Sequence, residues 1–312
     1  MSFDAGYHQN KRGGLCRVVQ AIFLAACLVF PNEGFADPAN DLHKAEQVQT
    51  SARLKVDLAG RQRMLTQHIG KDACFSVMGI DREKHITVML QAVWLFEDTL
   101  VNLREGNAAL GLVPARDPDV LAALEHVEDF WLTYKAAVTN VVSGDDPDQR
   151  YFHHLLAGSV ELLKRSQLLV VQLKNYHSNE GNVSPYAATA IDLSGRQQML
   201  SQKMAKEYCL IAAGINYEEQ QKALKRSLVM FESTAEALKT GNHEYGFLNE
   251  VPGIIQDEID RAMVAYEPIK PIFHAALLDE EVSHDEVLAV AKDNLKVLLG
   301  FDNVVKVYVA LN

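Results

Sequence analysis

The chain has 312 residues, 48% of them hydrophobic and 23% charged, with a formal net charge of −11. That apolar content is enough to bury one large or two medium cores, which excludes a disordered chain. The acidity excludes nucleic acid and an anionic membrane surface as electrostatic partners. Nine prolines, few aromatics and runs of Ala, Leu, Val, Glu and Lys favour helix over sheet, and an all-α protein is expected.

The N-terminus reads as a secretory signal. Lys11, Arg12 and Arg17 precede the apolar run VVQAIFLAACLVF, and Gly34 and Ala36 supply the small residues of a cleavage site, so residues 1–36 are expected to be removed after Ala36. LAAC at 24–27 also fits a lipoprotein box with Cys27 as the lipidated residue, although apolar LVF follows it where polar residues are usual. An uncleaved anchor would be shorter than the ~20 residues a span needs. Cleavage moves the formal charge from −11 to −12. No later stretch reads as apolar enough to cross a bilayer, so the mature chain is expected in the periplasm without a transmembrane segment.

An internal repeat organises the rest. VDLAGRQRMLTQHIGKDACFSVMGI (56–80) aligns with IDLSGRQQMLSQKMAKEYCLIAAGI (191–215) at 12 of 25 positions with a constant offset of 135. The same offset carries Phe96 onto Phe231, Glu97 onto Glu232 and Lys135 onto Lys270; near the ends, a three-residue deletion would bring Lys164 onto Lys296 and Tyr176 onto Tyr308. Two units follow, at 43–178 and 184–311.

Capping chemistry sets the helices. Asp117-Pro118, Asp146-Pro147 and Ser184-Pro185 each offer an acceptor at N-cap and proline at N1, and Ser283 with Glu286 forms a capping box. Gly106-Asn107 and Gly241-Asn242 read as stops. Helices are expected at 43–79, 82–106, 117–142 and 147–177, then 184–214, 217–241, 253–275 and 284–311, with Pro268 and Pro271 kinking or shortening the seventh. Short connections between long helices predict two tandem up-down four-helix bundles related by a pseudo-two-fold axis.

The first helix of each unit has two distinct faces. One is an apolar stripe of Met64, Leu65, Ile69 and Phe75, matched by Met199, Leu200, Met204 and Leu210. Arg61 and Arg196 fall in this stripe with Asp57 and Asp192 four residues earlier, so Asp57/Arg61 and Asp192/Arg196 ion pairs are expected, either as clamps or in contact with a ligand. The other face is small and polar: Gly60, Arg63, Gln67, Gly70 and Cys74, against Gly195, Gln198, Gln202, Ala205 and Cys209. If these faces pack on each other, equal positions meet at equal heights. Arg63 then faces Gln198 with Gln67 and Gln202 beside it, a donor cluster suited to a small planar anion; alternatively Arg63 is solvated on the surface. On the same face Cys74 and Cys209 are either a disulfide or two buried thiols.

IDLSGRQQMLSQKMAKE and VDLAGRQRMLTQHIGKD resemble the signature helix of the PilJ-type domain, the N-terminal sensory domain of type IV pilus chemotaxis transducers. That family is similar in turn to the periplasmic sensor domain of nitrate/nitrite histidine kinases, where two signature helices meet at a dimer interface and an arginine from each grips one anion. The resemblance covers nearly all of residues 43–311, once per unit, and implies four-helix bundles with an extracytoplasmic ligand-sensing role. It places the gripping arginine at Arg63, whereas the second unit has Gln198, so a two-arginine clamp becomes an arginine/glutamine site of half the charge.

Two functions follow. One is a periplasmic small-ligand binding or sensory accessory protein, with nitrate or nitrite held between the signature helices. The alternative is a ligand-free interaction or scaffold module partnering a membrane sensor, transporter or pilus-linked chemotaxis system. No enzyme, cofactor or metal is expected: the one clear Glu-x-x-His is Glu281/His284 at a helix start, C-x-x-C-H is absent, and His153 and His154 point to different faces.

Overall fold

A computed structural model describes residues 38–146, 148–242, 251–278 and 280–311. The expected signal at 1–36, with Cys16 and Cys27, lies outside them. The described residues form α1 (Pro38–Val77), α2 (Arg82–Glu105), α3 (Pro118–Ser143), α4 (Arg150–Asn179), α5 (Pro185–Ala212), α6 (Tyr217–Thr240), α7 (Gly253–Tyr266), α8 (Lys270–Ala275) and α9 (His284–Ala310), with a 3₁₀ turn at Ala108–Leu110. Pro268 lies in the break between α7 and α8 and Pro271 in the first turn of α8, since proline supplies no N–H and crowds the preceding turn.

Side-chain caps begin three helices as their sequences require. Asp117 accepts from the N–H groups of Asp119 and Val120, Ser184 from that of Ala187, and Ser283 with Glu286 closes a capping box. The fourth helix starts later than expected, at Arg150 rather than 147, because the Asp146 carboxylate reaches past the intervening turn to the N–H groups of Tyr151 (2.9 Å) and Phe152 (2.8 Å). Both signature helices end on a left-handed glycine. Gly79 (φ +76°) lets Ile80 N–H reach the Phe75 carbonyl at 3.0 Å, and Gly214 (φ +68°) lets Ile215 reach Leu210 at 2.9 Å.

In the first bundle α1 packs on α2 and α4, and α3 on α4; in the second α5 packs on α6 and α9, and α7 on α9. The bundles share the α1–α5 contact, flanked by α1–α9 and α4–α5, and one apolar core runs through both. α1 and α5 are therefore buried on nearly every side across the signature segments, which is why those segments carry no solvent-facing polar stripe. One expectation is corrected here: α2 is long and apolar enough, by length and composition, to cross a bilayer. Its Met89, Phe96, Leu100 and Leu103 are buried in the first bundle.

The repeat is kept in the contacts. Glu97 accepts from Trp131 Nε1 (3.0 Å) and Lys135 Nζ (2.6 Å), and Glu232 accepts from Tyr266 Oη (3.1 Å) and lies 3.3 Å from Lys270 Nζ. The three-residue deletion expected near the ends does not occur. Buried Leu155, Leu169, Val170 and Leu173 of α4 correspond to buried Val290, Val304, Val305 and Tyr308 of α9 at the undisturbed offset of 135, so Tyr308 stands where Leu173 does. α9 also approaches its neighbours through a glycine. A methyl group on Gly300 would lie 2.7 Å from Ala262 Cα in α7, and backbone cannot step aside as a side-chain end does. Gly300→Ala is expected to cost about 1–3 kcal/mol by overpacking, read as a lowered urea midpoint with unchanged slope.

Candidate functional site

The two signature helices meet with equal positions at equal heights. Gly60 and Gly195 face each other so closely that a methyl group on Gly195 would lie 3.9 Å from Gly60 Cα, and about four turns on Cys74 and Cys209 are joined in a disulfide (S–S 2.12 Å, Cα–Cα 6.2 Å). Small residues are needed here because bulkier ones would hold the backbones apart. Lys206 fills the hollow above Gly70, where an added Cβ would lie 3.0 Å from Lys206 Cδ.

Arg63 is fully buried, not solvated. Its Nη1 donates to Asp192 Oδ1 (2.7 Å) and Gln167 Oε1 (2.7 Å), and its Nη2 to the Asp192 carbonyl oxygen (3.1 Å). The side chain thus crosses from one signature helix to the other and ends on a carboxylate and a main-chain acceptor. Burial alone would push the Asp192 carboxyl up, but Arg63, Lys174 (3.2 Å) and Arg196 (3.8 Å) outweigh it and hold the group below the usual carboxylate range.

The other three residues of the expected donor cluster are engaged elsewhere. Gln198 Nε2 donates to Asp302 Oδ1 (3.2 Å), the counterpart of Gln167 at the offset of 135, so Arg63 and Gln198 each turn outward to the last helix of their own bundle. Gln67 donates to Thr66 Oγ1 (3.0 Å) and the Ser159 carbonyl (3.3 Å) while accepting from Lys206 Nζ (2.7 Å), and Gln202 donates to Ser201 Oγ (3.2 Å). No hydrogen bond joins Arg63 to Gln198, Gln67 or Gln202. Arg63 Nε, Gln198 Oε1 and Gln202 Oε1 are buried without a partner.

The two expected ion pairs are unequal. Arg61 Nη2 lies 3.0 Å from Asp57 Oδ2 and 3.7 Å from Asp302 Oδ1, whereas Arg196 stands 3.8 Å from an Asp192 whose near partner is Arg63. The reason is the substitution at 198. Glutamine there carries no charge, so Asp57 keeps only its own-helix arginine, and burial pushes its carboxyl up.

Gln167, Asp302, Lys174, Ser159 and Lys206 were not singled out from the sequence. A signal existed for the first two, since they stand 135 residues apart, but the supposed deletion hid it. Lys206 is the more unusual: it donates to Gln67 and to Ser159 Oγ (3.1 Å), and burial lowers it to about 8. Lys55 of α1 is also lowered to about 8 by burial. Between about pH 8 and the usual lysine range near 10.4, the unfolded chain keeps protons that the native state has lost, so unfolding stability is expected to rise with pH over that window. Urea unfolding on either side of it checks this, and Lys206→Met should flatten the rise.

An all-α pair of fused bundles, joined through their signature helices, defines a tandem helical-bundle architecture. Residues 47–156 and 182–290 match the PilJ family, Type IV pili methyl-accepting chemotaxis transducer N-term, and the chain belongs to that family. No curated protein and no solved structure matches it.

Proposed function

We propose that this chain is a non-enzymatic sensory accessory module, a pair of sensor domains fused in one polypeptide, that works in the periplasm through a membrane-bound partner. The observation that carries this reading is the closure of Arg63 by Asp192. The position that the resemblance assigns to gripping an anion is completely buried and already holds a carboxylate from the opposite helix. The interface therefore serves as a scaffold joint. A disulfide between the same helices supports an oxidising compartment. Trp94 on α2 and Leu132 on α3, 65% and 72% exposed, offer large apolar side chains to a partner.

A second reading keeps nitrate or nitrite between the signature helices. Asp192 has Lys174 and Arg196 beside it and would stay compensated if Arg63 turned away, and Arg63 Nε is a buried donor without an acceptor. Calorimetric titration separates the two. The scaffold reading expects no heat from nitrate or nitrite, and co-purification of a membrane protein that Arg63→Ala leaves unchanged; saturable heat abolished by Arg63→Ala would transfer the function to the second reading.

A further inference from the structure

A cavity of about 140 Å³ lies at the end of the first bundle, between α1, the loop leading into α3, and the last turns of α4. Lys55 reaches into it from α1. This lysine is only 3% exposed, yet no carboxylate lies within ion-pairing distance of it and no acceptor takes its protons among the described residues. From the opposite wall comes His177, which is likewise buried and has neither ring nitrogen in a hydrogen bond. His177 departs from the rule that buried polar atoms are satisfied, and the Lys55 ammonium, on a residue almost wholly removed from solvent, has no counter-charge beside it.

The charges around the cavity decide what would fill it. Asp117 is also on the wall, but its carboxylate is spent on the N–H groups of Asp119 and Val120 as the cap of α3. Arg116 at the rim offsets that charge, and burial, reinforced by the Lys55 ammonium, pushes His177 down to about 4, so it is neutral near pH 7. One positive charge is left over, at Lys55. Val48, Val120 and Leu173 give the lining an apolar part, and Tyr176 and Asn182 complete the wall. A volume of this size is close to the ~150 Å³ that admits a benzene ring.

We infer that this cavity is a binding site for a small monocarboxylate, its carboxylate on the Lys55 ammonium within reach of His177 and its short carbon chain against Val48, Val120 and Leu173. An inorganic oxyanion would satisfy the charge and leave the apolar wall bare. The site belongs to the first bundle alone, because the repeat places Ala190 where Lys55 stands. It also lies two turns, or ~12 Å, along α1 from Arg63. The failure of either assignment therefore leaves the other standing.

The test is thermal and calorimetric titration of the oxidised protein with propionate, butyrate, nitrate and chloride, in wild type, Lys55→Met and Val48→Trp. Propionate or butyrate should bind wild type saturably. Lys55→Met should weaken that binding by about thirty-fold or more while making the unliganded protein more stable, since methionine keeps the stem and removes the uncompensated charge. Val48→Trp narrows the cavity from its rim and should abolish binding without disturbing a buried charge. Equal carboxylate binding by wild type and Lys55→Met, no carboxylate binding at all, or nitrate bound in preference to propionate would each overturn the assignment.

Discussion

Opening the Cys74–Cys209 disulfide is expected to lower unfolding stability by about 4–5 kcal/mol, the largest single effect foreseen for this chain. The magnitude comes from the unfolded state. The bridge spans a sequence separation of 135 residues, so it ties the first signature helix to the second across the whole length of one unit and removes a long loop's freedom from the denatured ensemble. The native state should change little, because both cysteines are at most 1% exposed and Gly60 and Gly195 hold the same helices together about four turns away. Cys74→Ala/Cys209→Ala should therefore unfold at lower urea while retaining its far-ultraviolet helical signal. Each kcal/mol should move the thermal midpoint by about 2–4 °C in a chain of this size. A double variant as stable as the oxidised parent would show that the bridge contributes nothing.

The second large effect lies at Arg63 and Asp192, and it should be asymmetric. Asp192→Ala leaves a fully buried guanidinium with only Gln167 and one main-chain oxygen, and the loss is expected at about 3–5 kcal/mol, the range for breaking one side of a buried pair. Arg63→Met should cost less, because Asp192 keeps Lys174 at 3.2 Å and Arg196 at 3.8 Å. Replacing both by apolar residues should recover part of the loss, since the desolvation cost disappears with the charges. Chemical unfolding of the two single variants and the double variant gives the coupling directly. Acid should act on the same joint. The Asp192 carboxyl is held low in the native state, so its contribution is present above the ordinary aspartate range and is lost as pH falls through the lowered native value.

Much of this architecture was legible in the sequence, for identifiable reasons. Asp117, Ser184 and Ser283 announce helix starts because their side chains do locally what the first N–H groups need, and no distant contact overrides them. The repeat exposed the two-unit plan, and the small residues at 60, 70, 195 and 205 marked a face where backbones approach. What could not be read was where long side chains go once that face is closed. Arg63 has the reach to find Asp192 or a ligand, and spacing alone does not choose between them. Along-helix spacing likewise suggested that Asp192 belongs to Arg196, whereas the nearer cation comes from the other unit. Lys55 and Lys206 gave no sign at all, because lysine is ordinarily a surface residue and only the assembled bundles remove it from water.

The loss of the second arginine is the point on which the functional reading turns. With arginine at both 63 and 198, the repeat would set Asp57 against the second guanidinium as Asp192 is set against the first, leaving two buried arginines in the interface. With glutamine at 198, a single guanidinium is neutralised by a single carboxylate, and the joint is complete without a ligand. A crystal structure of the oxidised protein grown in saturating nitrate tests this most directly. It should show Arg63 still bound to Asp192 and Gln167, with Gln198 on Asp302 and Gly60 against Gly195. A nitrate seated between Arg63 and Gln198, with Asp192 withdrawn to Lys174 and Arg196, would contradict it.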